Sequence, residues 1–169
     1  ITAPVTCSNP LGTAHFTAMG GARPYTQFSF QPIGGGTPGA SNPAVNNEAD
    51  FNIGAGTYQI EVKDANGCTA TATFVVPQPK TLSITVEDLE PCYKGGNSAR
   101  IQVKVISGNG GYQFSKDGGA TFETGTSSTS TFIIYENLTA NTYNFVVKDA
   151  YGCDASTSYT VDNPFRMQA

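Results

Sequence analysis

"GTYQIEVKDANGC", Gly56 to Cys68, returns as "NTYNFVVKDAYGC", Asn141 to Cys153, 85 positions further along a chain of 169 residues. The same offset lays Cys7 on Cys92, Tyr58 on Tyr143, Lys63-Asp64-Ala65 on Lys148-Asp149-Ala150, and Gly67-Cys68 on Gly152-Cys153. An internal repeat of this length predicts two homologous units, each large enough for a modest core. In both copies apolar residues alternate with polar ones: Tyr58, Ile60 and Val62 over Tyr143, Phe145 and Val147. This is the period of a half-buried strand. "DANG" and "DAYG" then turn the chain back, Asp accepting turn geometry and Gly67 and Gly152 supplying positive φ.

Working outward, the strand after each leading cysteine sets Phe16 on Ile101 and Ala18 on Val103, with His15 on Arg100 and Thr17 on Gln102 between them. The strand after each turn sets Ala70, Ala72, Phe74 and Val76 on Ala155, Thr157, Tyr159 and Val161. Ile53 and Leu138 each precede a tyrosine by five residues, across "GAGT" and "TANT", which assigns Tyr58 and Tyr143 to the tyrosine corner of an immunoglobulin-like sandwich. The expected core is Phe16, Tyr58, Ile60, Val62 and Phe74 in one unit and Ile101, Tyr143, Phe145, Val147 and Tyr159 in the other. The fold class is all-β: two tandem immunoglobulin-like antiparallel sandwiches arranged end to end. The units run 1–79 and 80–164, joined through "PQPKT", with 165–169 opening a next repeat. The middles diverge: "QPIGGGTPGASNPAVNNEAD" reads as a loop where the second unit has "KDGGATFETGTSSTSTFIIY". "TLSITV" before Cys92 has no full counterpart before Cys7, so the first unit is expected to lack its first strand, with further repeats on both sides.

Composition agrees with strands. There are 19 Gly, 10 Pro, 10 Phe and 8 Tyr, and no long helix is expected. The net charge is −4 and the nine Lys and Arg stand singly, so no basic stripe exists for nucleic acid. No apolar run reaches the roughly 18 residues of a membrane helix, and "ITAPVTCSNP" lacks the pattern of a signal peptide. No direct membrane insertion is expected.

Candidate chemistry is sparse. "SKDGGATF", Ser115 to Phe122, fits an Asp-box, itself a structural hairpin, and reads as a turn between strands. Glu87, Asp88 and Glu90 offer hard oxygens for Ca²⁺ as weak candidates, without the spacing of an EF-hand, and read as solvated turn carboxylates. His15 is the only histidine and sits on the polar strand face, so no Ser-His-Asp or Cys-His set is available. No enzyme activity and no cofactor are expected. Asn137-Leu138-Thr139 is a formal glycosylation triplet whose middle residue belongs to the corner. Tyr25 and Tyr112 read as packing residues more than sugar platforms.

Four cysteines without a C-x-x-C pair point to disulfides and an oxidising compartment. Two pairings stay open. Cys7–Cys68 and Cys92–Cys153 would lie within repeats. Conventional strand order, however, puts Cys92 and Cys153 at opposite ends of a sandwich, about 27 Å apart along eight residues, whereas a disulfide allows about 6 Å between Cα atoms. In a head-to-tail array Cys7 would instead bond Cys153 across the joint, leaving Cys68 and Cys92 to other repeats.

The leading Cys, the "GGARPY" element and "GTYQIEVKDANGC", followed by a strand and Pro, resemble the SprB repeat, and the second unit departs from it in "GNGGY" and Asn141. The resemblance covers nearly the whole chain. It implies a non-catalytic stalk segment of a very large Bacteroidota adhesin used in gliding and exported by type IX secretion. Such a segment stands outside the cell on its surface. The implied partners are neighbouring repeats, substratum or polysaccharide, and the gliding and secretion machinery. The alternatives are a carbohydrate-binding module and a spacer in a secreted hydrolase.

Overall fold

A computed structural model describes residues 1–35, 39, 47–90, 96–125, 127, 129 and 130–162. Twelve strands are described and no helix. The chain divides into two compact units, Ile1–Gln78 and Pro79–Ala169.

The first unit contains β1 (Gly12–Thr17), β2 (Gln27–Pro32), β3 (Glu48–Ile53), β4 (Gly56–Lys63) and β5 (Thr69–Val76). One sheet is β1-β3 and the other β2-β4-β5, all neighbours antiparallel. The second unit contains β6 (Ser83–Asp88), β7 (Ala99–Ser107), β8 (Gln113–Ser115), β9 (Glu123–Thr124), β10 (Phe132–Leu138), β11 (Asn141–Lys148) and β12 (Asp154–Val161). Its sheets are β10-β7-β6 and β12-β11-β8-β9. Lettered in the immunoglobulin manner, these are E-B-A facing G-F-C with a short extra edge strand. That strand order identifies the sandwich.

Register ties the units together strand by strand. Phe28 of β2 stands opposite Val62, and Phe114 of β8 stands opposite Val147. β1, β2, β3, β4 and β5 therefore correspond to β7, β8, β10, β11 and β12, while β6 has no described counterpart. The stretch Gln31–Asp50, expected to be loop, contributes the end of β2 and the start of β3. The aromatic Phe51 earns that strand its place, because a half-buried alternation survives through Ala49, Phe51 and Ile53. Residues 36–38 and 40–46, within the divergent stretch, lie outside the described residues.

Of the expected core residues, Ile60, Ile101, Phe145 and Val147 are buried. Phe16, Tyr58, Val62, Phe74, Tyr143 and Tyr159 are half-buried and pack against that core. The rings of the first unit interlock, with Phe16 edge-on to Phe74 at 4.7 Å and Phe30 edge-on to Phe51 at 4.9 Å. The second unit fills the same space mainly with Ile101, Val103 and Val147 around stacked Tyr135 and Phe145.

Candidate functional site

The repeated "KDAxGC" turn is more than a hairpin. Asp64 is buried although it sits between two strand ends. Its Oδ1 accepts the backbone N–H groups of Asn66 and Cys68, both at 2.9 Å, and its Oδ2 accepts that of Ala22 at 3.0 Å. Asp149 repeats this. Its Oδ1 accepts the N–H of Tyr151 at 2.9 Å and of Cys153 at 3.0 Å, and its Oδ2 accepts both the N–H and the side-chain amide of Asn109. Ala22 and Asn109 each stand three residues ahead of a tyrosine, Tyr25 or Tyr112, in the loop that leaves β1 or β7. Each carboxylate therefore staples the turn after β4 or β11 to that loop. Backbone bonds from Ala65 to Ala22 and from Ala150 to Gly110 complete the clamp.

Local geometry explains the glycines. Gly67 and Gly152 take φ of 83° and 70°, and each donates its N–H back to the carbonyl of the turn aspartate. A side chain there would meet the left-handed steric cost. The amide of Ala22, followed by those of Cys68, Asn66 and Gly67, holds the Asp64 carboxyl below its ordinary value against the opposing effect of partial burial. Such a carboxylate is an acceptor committed to the fold.

At the far end of the same strands, Tyr58 donates its hydroxyl to the carbonyl of Gly54 at 3.1 Å. Tyr143 donates to the Thr139 carbonyl at 3.1 Å and accepts the Thr139 N–H at 3.1 Å. Each tyrosine so closes the turn that feeds its own strand. Asn137 sits at φ 58°, where β10 slips register against β7 beside buried Leu138.

The Asp-box residues form the turn from β8 to β9. Ser115 Oγ donates to Asp117 Oδ1 at 2.6 Å and accepts the Gly119 N–H, while the Thr121 N–H and hydroxyl both reach Asp117. The Ser115 and Thr121 hydroxyls hold the Asp117 carboxyl far below the usual range. Among the acidic candidates, Asp88 accepts the Tyr159 hydroxyl at 3.0 Å and the Glu90 N–H at 2.8 Å. Glu90 lies 3.8 Å from Arg100, and Glu87 is exposed. No cluster of three metal-ligating side chains occurs among the described residues. His15 Nδ1 pairs with Asp50 of β3 at 2.8 Å, and its counterpart Arg100 pairs with Glu136 of β10 at 3.0 Å, so both are cross-strand partners on an outer face.

Tyr25 is buried edge-on to Phe28 and donates its hydroxyl to the Gly20 carbonyl; Tyr112 packs against the core of its unit. Cys7 and Cys153 are each disulfide-bonded. Cys68 is exposed with a free thiol, so it is not joined to Cys7. Cys92 lies outside the described residues. The residues missed in sequence were the loop partners Ala22 and Asn109 and the core pair Phe28 and Phe114. "QFSF" carried an alternation that marks Phe28, but no sequence signal marks a backbone N–H as a clamp donor.

No family model matches the chain, and no curated protein matches it. Among solved structures it is similar to an amphioxus IgVJ-C2 molecule, at 12% identity and a TM-score of 0.36, over 89% of this chain and 96% of that one. No helix among the described residues is long and apolar enough to cross a membrane.

Proposed function

We propose that the chain is a non-catalytic stalk segment of a secreted, cell-surface adhesin built from repeats of this kind, as the SprB-like signature implies. The observation that carries this reading is the repetition of one braced module. The same strand order and the same carboxylate clamp recur in both units, while the polar residues that sequence reasoning singled out are spent on turns, strand pairs and corners. A rod made of such modules gains length by repetition and multiplies weak contacts at its working end. Substratum or polysaccharide is the proposed target of the whole filament, and neighbouring repeats are the partners of this segment. A glycan module would need an exposed aromatic platform, whereas Tyr25 is only 5% exposed.

The half-cystines sharpen the proposal. Cys68 carries a free thiol while Cys7 is disulfide-bonded, so these two are not joined to each other. Single-molecule pulling of the intact chain under reducing conditions tests the stalk reading: two similar unfolding events, one for each unit, are expected, and extension without any resolvable unfolding force would refute it. Non-reducing peptide mapping that found Cys7 joined to Cys68 would contradict the free thiol. A broad glycosidase and esterase screen on the intact chain is expected to give no turnover.

A further inference from the structure

Asn followed by Gly occurs twice in the sequence, at Asn66-Gly67 and at Asn109-Gly110. Each unit holds one of them, on opposite halves of the same clamp: Asn66 sits in the turn after β4, and Asn109 in the loop after β7. Tyr151 stands in place of Asn66 in the second unit, and Ala22 in place of Asn109 in the first. This dipeptide carries a chemistry of its own. The glycine nitrogen has no neighbouring Cβ to shield it, so it can attack the side-chain amide carbon of the asparagine before it. The new C–N bond closes a succinimide ring, the amide nitrogen leaves as ammonia, and water then opens one imide carbonyl or the other. One opening yields aspartate. The other yields isoaspartate, in which the main chain runs through the former side chain.

Both glycines are uncrowded. Nothing stands within 4 Å of the place a Cβ would take on Gly110, and only Lys63 Cε, at 3.8 Å, stands near that of Gly67. The asparagines differ. Asn66 is exposed, and its side chain makes no hydrogen bond among the described residues; its own N–H reaches Asp64 Oδ1 at 2.9 Å, and the Gly67 N–H reaches the Asp64 carbonyl at 3.1 Å. Asn109 is half-buried and held at both ends of its amide. Its Oδ1 accepts the Lys80 N–H at 2.8 Å, and its Nδ2 donates to the Lys80 carbonyl at 2.9 Å and to Asp149 Oδ2 at 2.7 Å. Ring closure turns that amide and expels its nitrogen, so these bonds have to break first. Releasing a single hydrogen bond to a charged acceptor slows a reaction by about tenfold.

We propose that Asn66 is a site of spontaneous modification, converting to aspartate and isoaspartate through a succinimide with Gly67, while Asn109 in the same dipeptide is preserved by the clamp it belongs to. Water is the only co-reactant. Isoaspartate at position 66 adds a methylene to the main chain inside the turn and hangs a new carboxylate two residues from Asp64. The Gly67 and Cys68 N–H groups that close on Asp64 are carried out of place, and the like charge opposes the carboxylate they served. The first unit therefore carries a timer that loosens its clamp with age, and the second unit does not.

The test ages the intact chain in mildly alkaline buffer made with water enriched in heavy oxygen, and follows peptides spanning the two dipeptides by mass spectrometry with fragmentation that separates aspartate from isoaspartate. We expect the Asn66 peptide to convert at least tenfold faster than the Asn109 peptide in the folded chain, and the two to convert within about twofold of each other in urea. Isoaspartate bearing heavy oxygen should be a major product at position 66. In the aged chain, hydrogen exchange at the Cys68 amide should rise about tenfold while the Cys153 amide keeps its rate, and Asn66→Gln should abolish that rise. Equal conversion of the two asparagines in the folded chain, or conversion of Asn66 to aspartate alone, would overturn the assignment of the site. Cys68 exchange that stays at the fresh-chain rate after isoaspartate has formed, or that rises equally in Asn66→Gln, would overturn the timer.

Discussion

Replacing Asp149 with alanine removes the acceptor that four donors share. Three are backbone N–H groups, of Asn109, Tyr151 and Cys153, and the fourth is the Asn109 amide at 2.7 Å. Hydrogen bonds to a charged acceptor contribute about 1.5–3 kcal/mol each. The four are not additive, because they hold one loop against one turn, and water reaches part of the cleft once the carboxylate is gone. A net loss of about 3 kcal/mol for the second unit is therefore expected. With a urea dependence of about 1.5 kcal/mol/M for a unit of this size, the midpoint should fall by roughly 2 M. The assay is urea denaturation of the intact chain followed by hydrogen exchange, so that peptides spanning Asn109 and Tyr151 to Cys153 report the second unit alone. Those amides should exchange about a hundredfold faster in the variant, since 1.4 kcal/mol is a factor of ten. Asp149→Asn keeps an acceptor oxygen but not the charge and should lose about half as much. A midpoint unchanged by Asp149→Ala, or a loss no greater than that of Asp149→Asn, would refute the clamp as a source of stability.

Tyr143→Phe deletes both hydrogen bonds with Thr139 and should cost about 1 kcal/mol in the urea midpoint of the second unit; no change would remove energetic meaning from the corner. Tyr135→Phe should be neutral or slightly stabilising, because the Tyr135 hydroxyl is buried without a hydrogen-bond partner among the described residues; a loss above 1 kcal/mol in the same assay would show a bond that this geometry lacks. For pH, the Ala22 amide holds the Asp64 carboxyl, and the Ser115 hydroxyl the Asp117 carboxyl, below the ordinary aspartate range in the folded state. Their stabilisation is present above the unfolded carboxylate range and is lost as pH falls below it, through the folded values. Acid titration by circular dichroism should show this loss below about pH 4, and Asp117→Asn should flatten it in the second unit.

Much of this architecture was legible because strands advertise one face at a time. The alternation through Tyr58, Ile60 and Val62, and its echo at Tyr143, Phe145 and Val147, located strands and core together. The turn aspartates were visible as turn residues, since Asp before Gly is a local signal. Their second task was hidden, because the loop donors lie some forty positions upstream and act through backbone atoms that every residue carries. The strand at Glu48–Ile53 was hidden by the Gly- and Asn-rich stretch ahead of it, whose turn chemistry overshadowed a short alternation. The exposure of Ala70 and Ala72 could not be read from β5 itself, because it depends on what lies across from that strand.

The clamp has a consequence for how chains of this kind change length. Two thirteen-residue stretches that share eight positions, 85 residues apart, mark a place where recombination within the gene would join the front of one unit to the back of the other. Every such crossover splices a loop from one ancestor to a turn from a different one. The splice still closes, because in both units the turn carboxylate grips a main-chain N–H, that of Ala22 or of Asn109. The loop donor is a main-chain N–H alone in the first unit, and in the second the Asn109 side-chain amide is added to it, so the backbone bond is the part of the clamp that such a splice keeps whichever loop it receives.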